Sequence, residues 1–239
     1  METVIKVLAL LPWTDWVALV FFFGGWAGYA TFAKRRSTQQ PSVLDTTNRI
    51  RRQWMLQSTY REVRVIDGIV IQSLSTSPSF FASTTILIIG GLLAVLGTTE
   101  KASELVREIP FAARTSVLVF DLKVVLLLGI FVYTFFRFTW SMRQYTFGAL
   151  LVASVPERDL LNELAEQGEA MRQAFAERAG RVVAMAAETF NDGLRGYYFA
   201  FATLGWFFSP VIFGLATAGV IWILYQREFR SEVLEALRE

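Results

Sequence analysis

Two ionisable residues, Asp121 and Lys123, interrupt an otherwise apolar run beginning at Val117 and ending at Phe138. A charge inside hydrocarbon is costly and normally faces protein or water, so chemistry is sought here first. Two residues apart on a helix means about 200° of rotation, so the pair cannot share a face. The bland reading is depth. Both lie near one end of the run, where Lys123 can snorkel and Asp121 can reach headgroup water. The functional reading is a polar lining for a solute or proton path. At the opposite end stand Arg137 and Arg143, and Arg195 lies between Gly193 and Gly196 at a comparable depth. Singly, these arginines are interfacial anchors. Together, Arg137, Arg143 and Arg195 could hold a lipid phosphate or an anionic solute through forked hydrogen bonds. Asn191 and Asp192 could instead pair with them as a structural clamp.

Other chemistries are excluded by composition. The chain has no cysteine and no histidine, which removes thiolate catalysis, disulfides, structural zinc and the commonest general base. No phosphate loop, dinucleotide fingerprint or nucleophile elbow occurs. Acidic residues cluster at Glu157/Asp159 and at Glu163/Glu166/Glu169, but one helix face rarely supplies the convergent oxygens a metal needs. No catalytic residue, metal ligand or cofactor is therefore assigned, and a carboxylate-only membrane enzyme is the sole enzymatic alternative. A net charge of +2 leaves no electrostatic footprint for nucleic acid.

The elements that would position these residues are read from hydropathy. The 239 residues are 54% hydrophobic and 18% charged, against about 25% charged in a typical soluble domain. The excess lies in four blocks: 16–32, 80–96, 117–138 and 197–225. Each approaches the roughly 20 apolar residues that span a bilayer. Trp13, Trp16, Trp140, Tyr197, Tyr198, Trp222 and Tyr225 stand at their ends, as in an interfacial aromatic belt. The first block is not a signal peptide, because its cations, Lys34, Arg35 and Arg36, follow it. Its partner is the lipid bilayer.

Sidedness follows from the cations. Segments 33–79 and 139–196 hold 14 Lys and Arg, the remaining extramembrane segments seven. This places both long loops in the cytoplasm of a bacterial inner membrane and both termini outside. Arg227 and Arg230, close to a membrane edge, oppose that orientation. A re-entrant turn at Pro210 would remove the conflict by bringing the C-terminus inside, but 29 residues are too few to cross twice.

Both long loops read as amphipathic helices. In 43–75, Leu56, Val63, Ile66, Val70 and Leu74 share one helical face, with Asp45, Thr46 and Thr47 as plausible caps. Pro78 should end the helix before the second span opens at Phe80. In 157–191, Leu160, Leu164, Met171, Phe175, Val182, Ala186 and Phe190 share a face behind the Pro156 start. The two helices can pack on each other, lie on headgroups or dock a protein partner. Gly24-xxx-Gly28 and Gly214-xxx-Ala218 allow close helix approach. Pro210 frees the carbonyl of Trp206, which a neighbour or a cation must satisfy.

Four blocks carry a family resemblance. They are Ser77-Pro78-Ser79-Phe80-Phe81-Ala82-Ser83-Thr84-Thr85 running into Ile89-Gly90-Gly91-Leu92, and Phe138-Thr139-Trp140-Ser141-Met142-Arg143-Gln144-Tyr145. The others are Phe190-Asn191-Asp192-Gly193-Leu194-Arg195-Gly196-Tyr197-Tyr198-Phe199-Ala200 and Arg61-Glu62-Val63-Arg64-Val65-Ile66-Asp67. Together they resemble the bacterial and plant membrane-protein family known as domain of unknown function 599, over nearly the whole chain. Asp192, and Thr146 with Phe147, depart from the family's usual pattern. The resemblance implies a multi-pass inner-membrane protein and brings no activity, cofactor or catalytic residue.

The sequence thus predicts an all-α polytopic membrane protein with four transmembrane helices and two amphipathic cytoplasmic helices. Its expected role is a homo-oligomeric pore or transporter for a small ion or solute. The alternative is a non-catalytic scaffold or accessory subunit whose cytoplasmic helices recruit a protein partner.

Overall fold

The computed structural model describes residues 11–36, 40–108 and 116–237, and every regular element among them is a helix. In chain order these are α1 (Trp13–Arg36), α2 (Val43–Ser58), α3 (Val65–Gly97), α4 (Thr99–Glu108) and α5 (Val117–Ala153). They are followed by α6 (Arg158–Glu163), α7 (Ala165–Leu204), a 3₁₀ turn (Gly205–Phe207), α8 (Pro210–Phe229) and α9 (Glu232–Ala236). Among the described residues, four helices are long and apolar enough to cross a membrane: Trp13–Arg36, Val65–Gly97, Val117–Ala153 and Pro210–Ala236.

Several expected boundaries are corrected. The helix expected to end before Pro78 does not end there: α3 runs from Val65 through Pro78 to Gly97. Nearby hydroxyls fold back onto the helix, with Ser75 and Thr76 both donating to the Gln72 carbonyl. An apolar helix in this setting tolerates the lost N–H. The expected helix over 43–75 is broken at residues 59–64, where side chains take the backbone carbonyls. Arg172 donates to the Thr59 carbonyl, and Arg64 donates to those of Ser58, Val155 and Pro156. The N-cap of α2 is Ser42, whose hydroxyl accepts from the Asp45 N–H. The segment 157–191 also divides: α6 ends at Glu163, and Ala165, the first residue of α7, has a φ of 46°. The helix that carries the third apolar run continues past Phe138 to Ala153.

The chain forms two compact units. The first comprises Met1–Gln40, Thr85–Thr134 and Leu194–Arg227. Within it, α1 fixes the direction of the fourth apolar block. Asp15 near the start of α1 meets Trp206, Phe22 meets both Phe199 and Phe213, and Phe32 meets Tyr225. Arg195 lies over Tyr29. Residues 195–206 therefore run antiparallel to α1, and residues 213–225 run back parallel to it. The chain reverses at Gly205–Ser209, and Arg227 donates to the Tyr198 hydroxyl to join the two legs at their base. The block 197–225 is a helical hairpin rather than one crossing. It has the length to double back because its first leg is the end of the 40-residue α7. Glu188, Asp192 and Arg195 hide that helix from a hydropathy reading.

The second unit comprises Pro41–Thr84, Phe135–Gly193 and Glu228–Glu239. Its core joins Met55 of α2, Ile71 of α3 and Tyr145 and Val152 of α5 to Phe175, Ala176, Ala179, Val183 and Ala186 of α7. Small residues let α7 approach closely. A Cβ at Gly180 would lie 2.9 Å from Arg52 Cα, and a Cβ at Gly168 would overlap the Leu161 carbonyl oxygen.

Candidate functional site

Lys123 is only 2% exposed, so it does not snorkel. Its ammonium donates to the Trp206 carbonyl at 2.8 Å. That is the carbonyl Pro210 leaves without an i+4 donor, since proline has no N–H. The ammonium also lies 5.4 Å from the Trp206 ring and 5.7 Å from the Phe207 ring. Trp206 in turn donates its indole N–H to the carboxylate of buried Asp15. Its ring stacks on Phe213 at 5.5 Å with 18° between planes. The hairpin turn is thus clamped from α5 by a cation and from α1 by an anion, with Trp206 between them. The two charges offset each other across the indole, which makes their burial tolerable in a low-dielectric site.

Asp121 is half-buried, and its Oδ1 is enclosed without a hydrogen-bond partner among the described residues. The two candidates have therefore separated. Lys123 is satisfied by the fold, while Asp121 holds an unused buried acceptor. Sequence reading missed Asp15 and Trp206 as members of this constellation. Asp15 stands in the first turn of α1, where an acid already has a reason to be.

Each of the three arginines has its own local surroundings. Arg137 pairs with Asp192, the clamp that was the alternative. Arg195 places its guanidinium 5.6 Å from the Tyr29 ring centre. Arg143 is exposed. Beside the Arg137–Asp192 pair, Phe81, Phe138 and Phe190 meet with ring centres 5.4 to 5.8 Å apart. A Cβ on Gly193 would reach to 2.5 Å from the Phe138 ring. Three of the distinctive sequence blocks thus converge on one aromatic cluster. The fourth, Arg61–Asp67, closes the break between α2 and α3. There Arg61 pairs with buried Asp67, which also accepts from the Trp54 indole at 2.7 Å.

The second unit contains a further polar network. Asn48 donates to Glu188 at 3.0 Å and accepts from Arg51 at 2.7 Å. Burial pushes the Arg51 guanidinium below its usual value, against the opposing pull of Tyr145 and Glu188. At the surface, Tyr60 donates to Glu169 at 2.8 Å. That bond holds the Glu169 carboxyl below its ordinary value and raises the Tyr60 phenol. Among the described residues no group of three acidic side chains converges to hold a metal.

No curated protein and no solved structure matches the chain. One family model does, over residues 17–233, a range that includes all four distinctive blocks and the whole hairpin. Its description is "Protein of unknown function, DUF599", and with that extent of match the chain belongs to this family.

Proposed function

We propose that the protein is a non-enzymatic, homo-oligomeric membrane conductance or transporter for a small cation, the proton included. The carrying observation is the Asp121 carboxylate, with one oxygen buried in an apolar helix and without a hydrogen-bond partner among the described residues. Leaving a buried acceptor unsatisfied costs about 1–3 kcal/mol, more for a charged group. A carboxylate kept at that cost is suited to bind a cation transiently. Lys123 and Asp15 support the reading differently, by fixing the hairpin turn against the helix that carries Asp121. Four apolar helices make a small transport unit, so the path is shared between copies. The test is flux in proteoliposomes. Asp121→Asn is expected to abolish proton or monovalent-cation flux while leaving assembly intact, and wild-type flux in that variant contradicts the reading.

The same reading places the N-terminus outside and the C-terminus in the cytoplasm of a bacterial inner membrane. The hairpin supports this by returning Arg227 to the end of its unit that carries Arg35 and Arg36. The objection that Arg227 raised against a C-terminus outside then disappears.

A second reading, an accessory subunit that recruits a protein partner, is favoured by Leu160, Leu164 and Met171. They are 49%, 37% and 44% exposed and lie outside the four apolar helices. Phe175, expected on the same docking face, is instead buried in the core. Co-purification of a stoichiometric partner that is lost when Leu160, Leu164 and Met171 are made polar would favour this reading.

A further inference from the structure

We infer that the seam between α1 and α8 is a binding site for one anionic phospholipid. An open groove of about 570 Å³ runs along this seam, with Gly25, Gly28 and Phe32 on one wall and Ala218, Trp222 and Tyr225 on the other. Its lining is almost wholly apolar carbon. Gly28 has no atom within 4 Å of where a Cβ would stand, so the groove has room at its floor. Trp222 and Phe32 are exposed at its rim. Along α1 the lining extends from Phe21 to Phe32. At 1.5 Å per residue that is roughly 16 Å, about half of the ~30 Å hydrocarbon core and so one leaflet deep. The dimension fits an acyl chain entering from a single leaflet.

The second observation is electrostatic and lies at one end of the groove. Phe32 also lines a neighbouring polar pocket with Thr31, Arg35 and Arg36. Arg36 holds its guanidinium 5.6 Å from the Phe32 ring centre and donates through Nε to Gln40 at 3.1 Å. This holds the Arg36 guanidinium beside Phe32, a residue that also lines the groove. An acyl-length apolar trough ending in two guanidinium groups is complementary to a chain bearing a phosphate. A helix from a second copy would fill the trough but bring no phosphate to the two guanidinium groups. The inference is independent of cation conduction, because it uses no residue of the Asp15–Trp206–Lys123–Asp121 site.

Native mass spectrometry of the intact protein, released from detergent with added dioleoyl phosphatidylglycerol or phosphatidylcholine, tests it. Wild type is expected to bind one phosphatidylglycerol about tenfold or more tightly than phosphatidylcholine. The double variant Arg35→Gln/Arg36→Gln is expected to lose that preference while still binding one lipid. Gly28→Leu, which fills open space, is expected to lose both lipids at unchanged thermal stability. Equal binding of the two lipids by wild type overturns the inference, as does a preference that survives in the double variant. A dimer that falls apart on Gly28→Leu, with no lipid retained, also overturns it and assigns the groove to a second copy.

Discussion

The ammonium of Lys123 sits 2.8 Å from the carbonyl oxygen of Trp206, the one acceptor that Pro210 deprives of its helical donor. The backbone deficit of one residue is met by a buried charge from another helix, 83 residues away in the chain. This pairing turns a break in a helix into a fixed turn, and it makes Lys123 a structural anchor and Asp121 the functional candidate. Lys123→Met should therefore lower thermal stability by an amount equivalent to about 1–3 kcal/mol, the cost of a buried acceptor left unpaired. Asp121→Asn should leave stability nearly unchanged. Fluorescence-detected size-exclusion after heating separates the two, and equal losses would contradict the division of roles.

Trp206→Phe keeps the stacked ring but removes the donor to Asp15. A buried carboxylate is then left unpaired, with an expected cost of about 1–3 kcal/mol. Adding Asp15→Leu should recover only part of the loss, because it removes the unpaired carboxylate but also the charge that offsets buried Lys123. Additive losses in the double variant would show that the indole–carboxylate bond is not what matters.

Arg137 and Asp192 are each about one-third exposed in side chain, at 32% and 33%. Their pairing predicts a coupling of roughly 0.5–3 kcal/mol in a double-mutant cycle, measured by denaturation in detergent. The charge-swapped chain Arg137→Asp/Asp192→Arg should be more stable than either single reversal. A swap no better than the single variants would remove the pair from the account.

Gly168→Ala places a methyl group on the Leu161 carbonyl oxygen, so α6 must move off α7. Overpacking of this kind typically costs about 1–3 kcal/mol. Gly90→Ala, where nothing lies within 4 Å, should be tolerated and serves as its control.

The Tyr60–Glu169 bond makes a small pH-dependent contribution. Glu169 has a depressed value in the fold, so its contribution is present above the unfolded carboxyl value. It is lost as pH falls through the folded one. The raised Tyr60 phenol acts at the other end, where the contribution present below the unfolded phenol value is lost as pH rises through the folded one. Tyr60→Phe should therefore reduce the difference in melting temperature between pH 7 and pH 3. An unchanged difference would contradict the role of this bond.

What was legible in the sequence follows from what each signal measures. Hydropathy found α1, α3, α5 and α8 because their apolar runs are long enough to register. It missed the first leg of the hairpin because Glu188, Asp192 and Arg195 dilute α7. Pro78 and Pro210 carry the same local signal with opposite outcomes: α3 continues through one, while α8 starts at the other. Only tertiary partners distinguish them. Counting arginines by side of the membrane treated them as free anchors. Several are committed to named acceptors, as Arg64 and Arg172 are to loop carbonyls and Arg137 is to Asp192. The freed Trp206 carbonyl was legible as a need, but the identity of its donor was not, because Lys123 lies 83 residues away.

The hairpin is the central claim, and cysteine labelling of whole cells tests it most directly, because the natural chain has no cysteine. Phe208→Cys marks the turn, and Glu232→Cys marks the chain just beyond the second leg. A membrane-impermeant maleimide is predicted to label Phe208→Cys from outside and Glu232→Cys only after permeabilisation. Labelling of Glu232→Cys from outside, with Phe208→Cys protected in the bilayer, would mean a single crossing and would contradict the account.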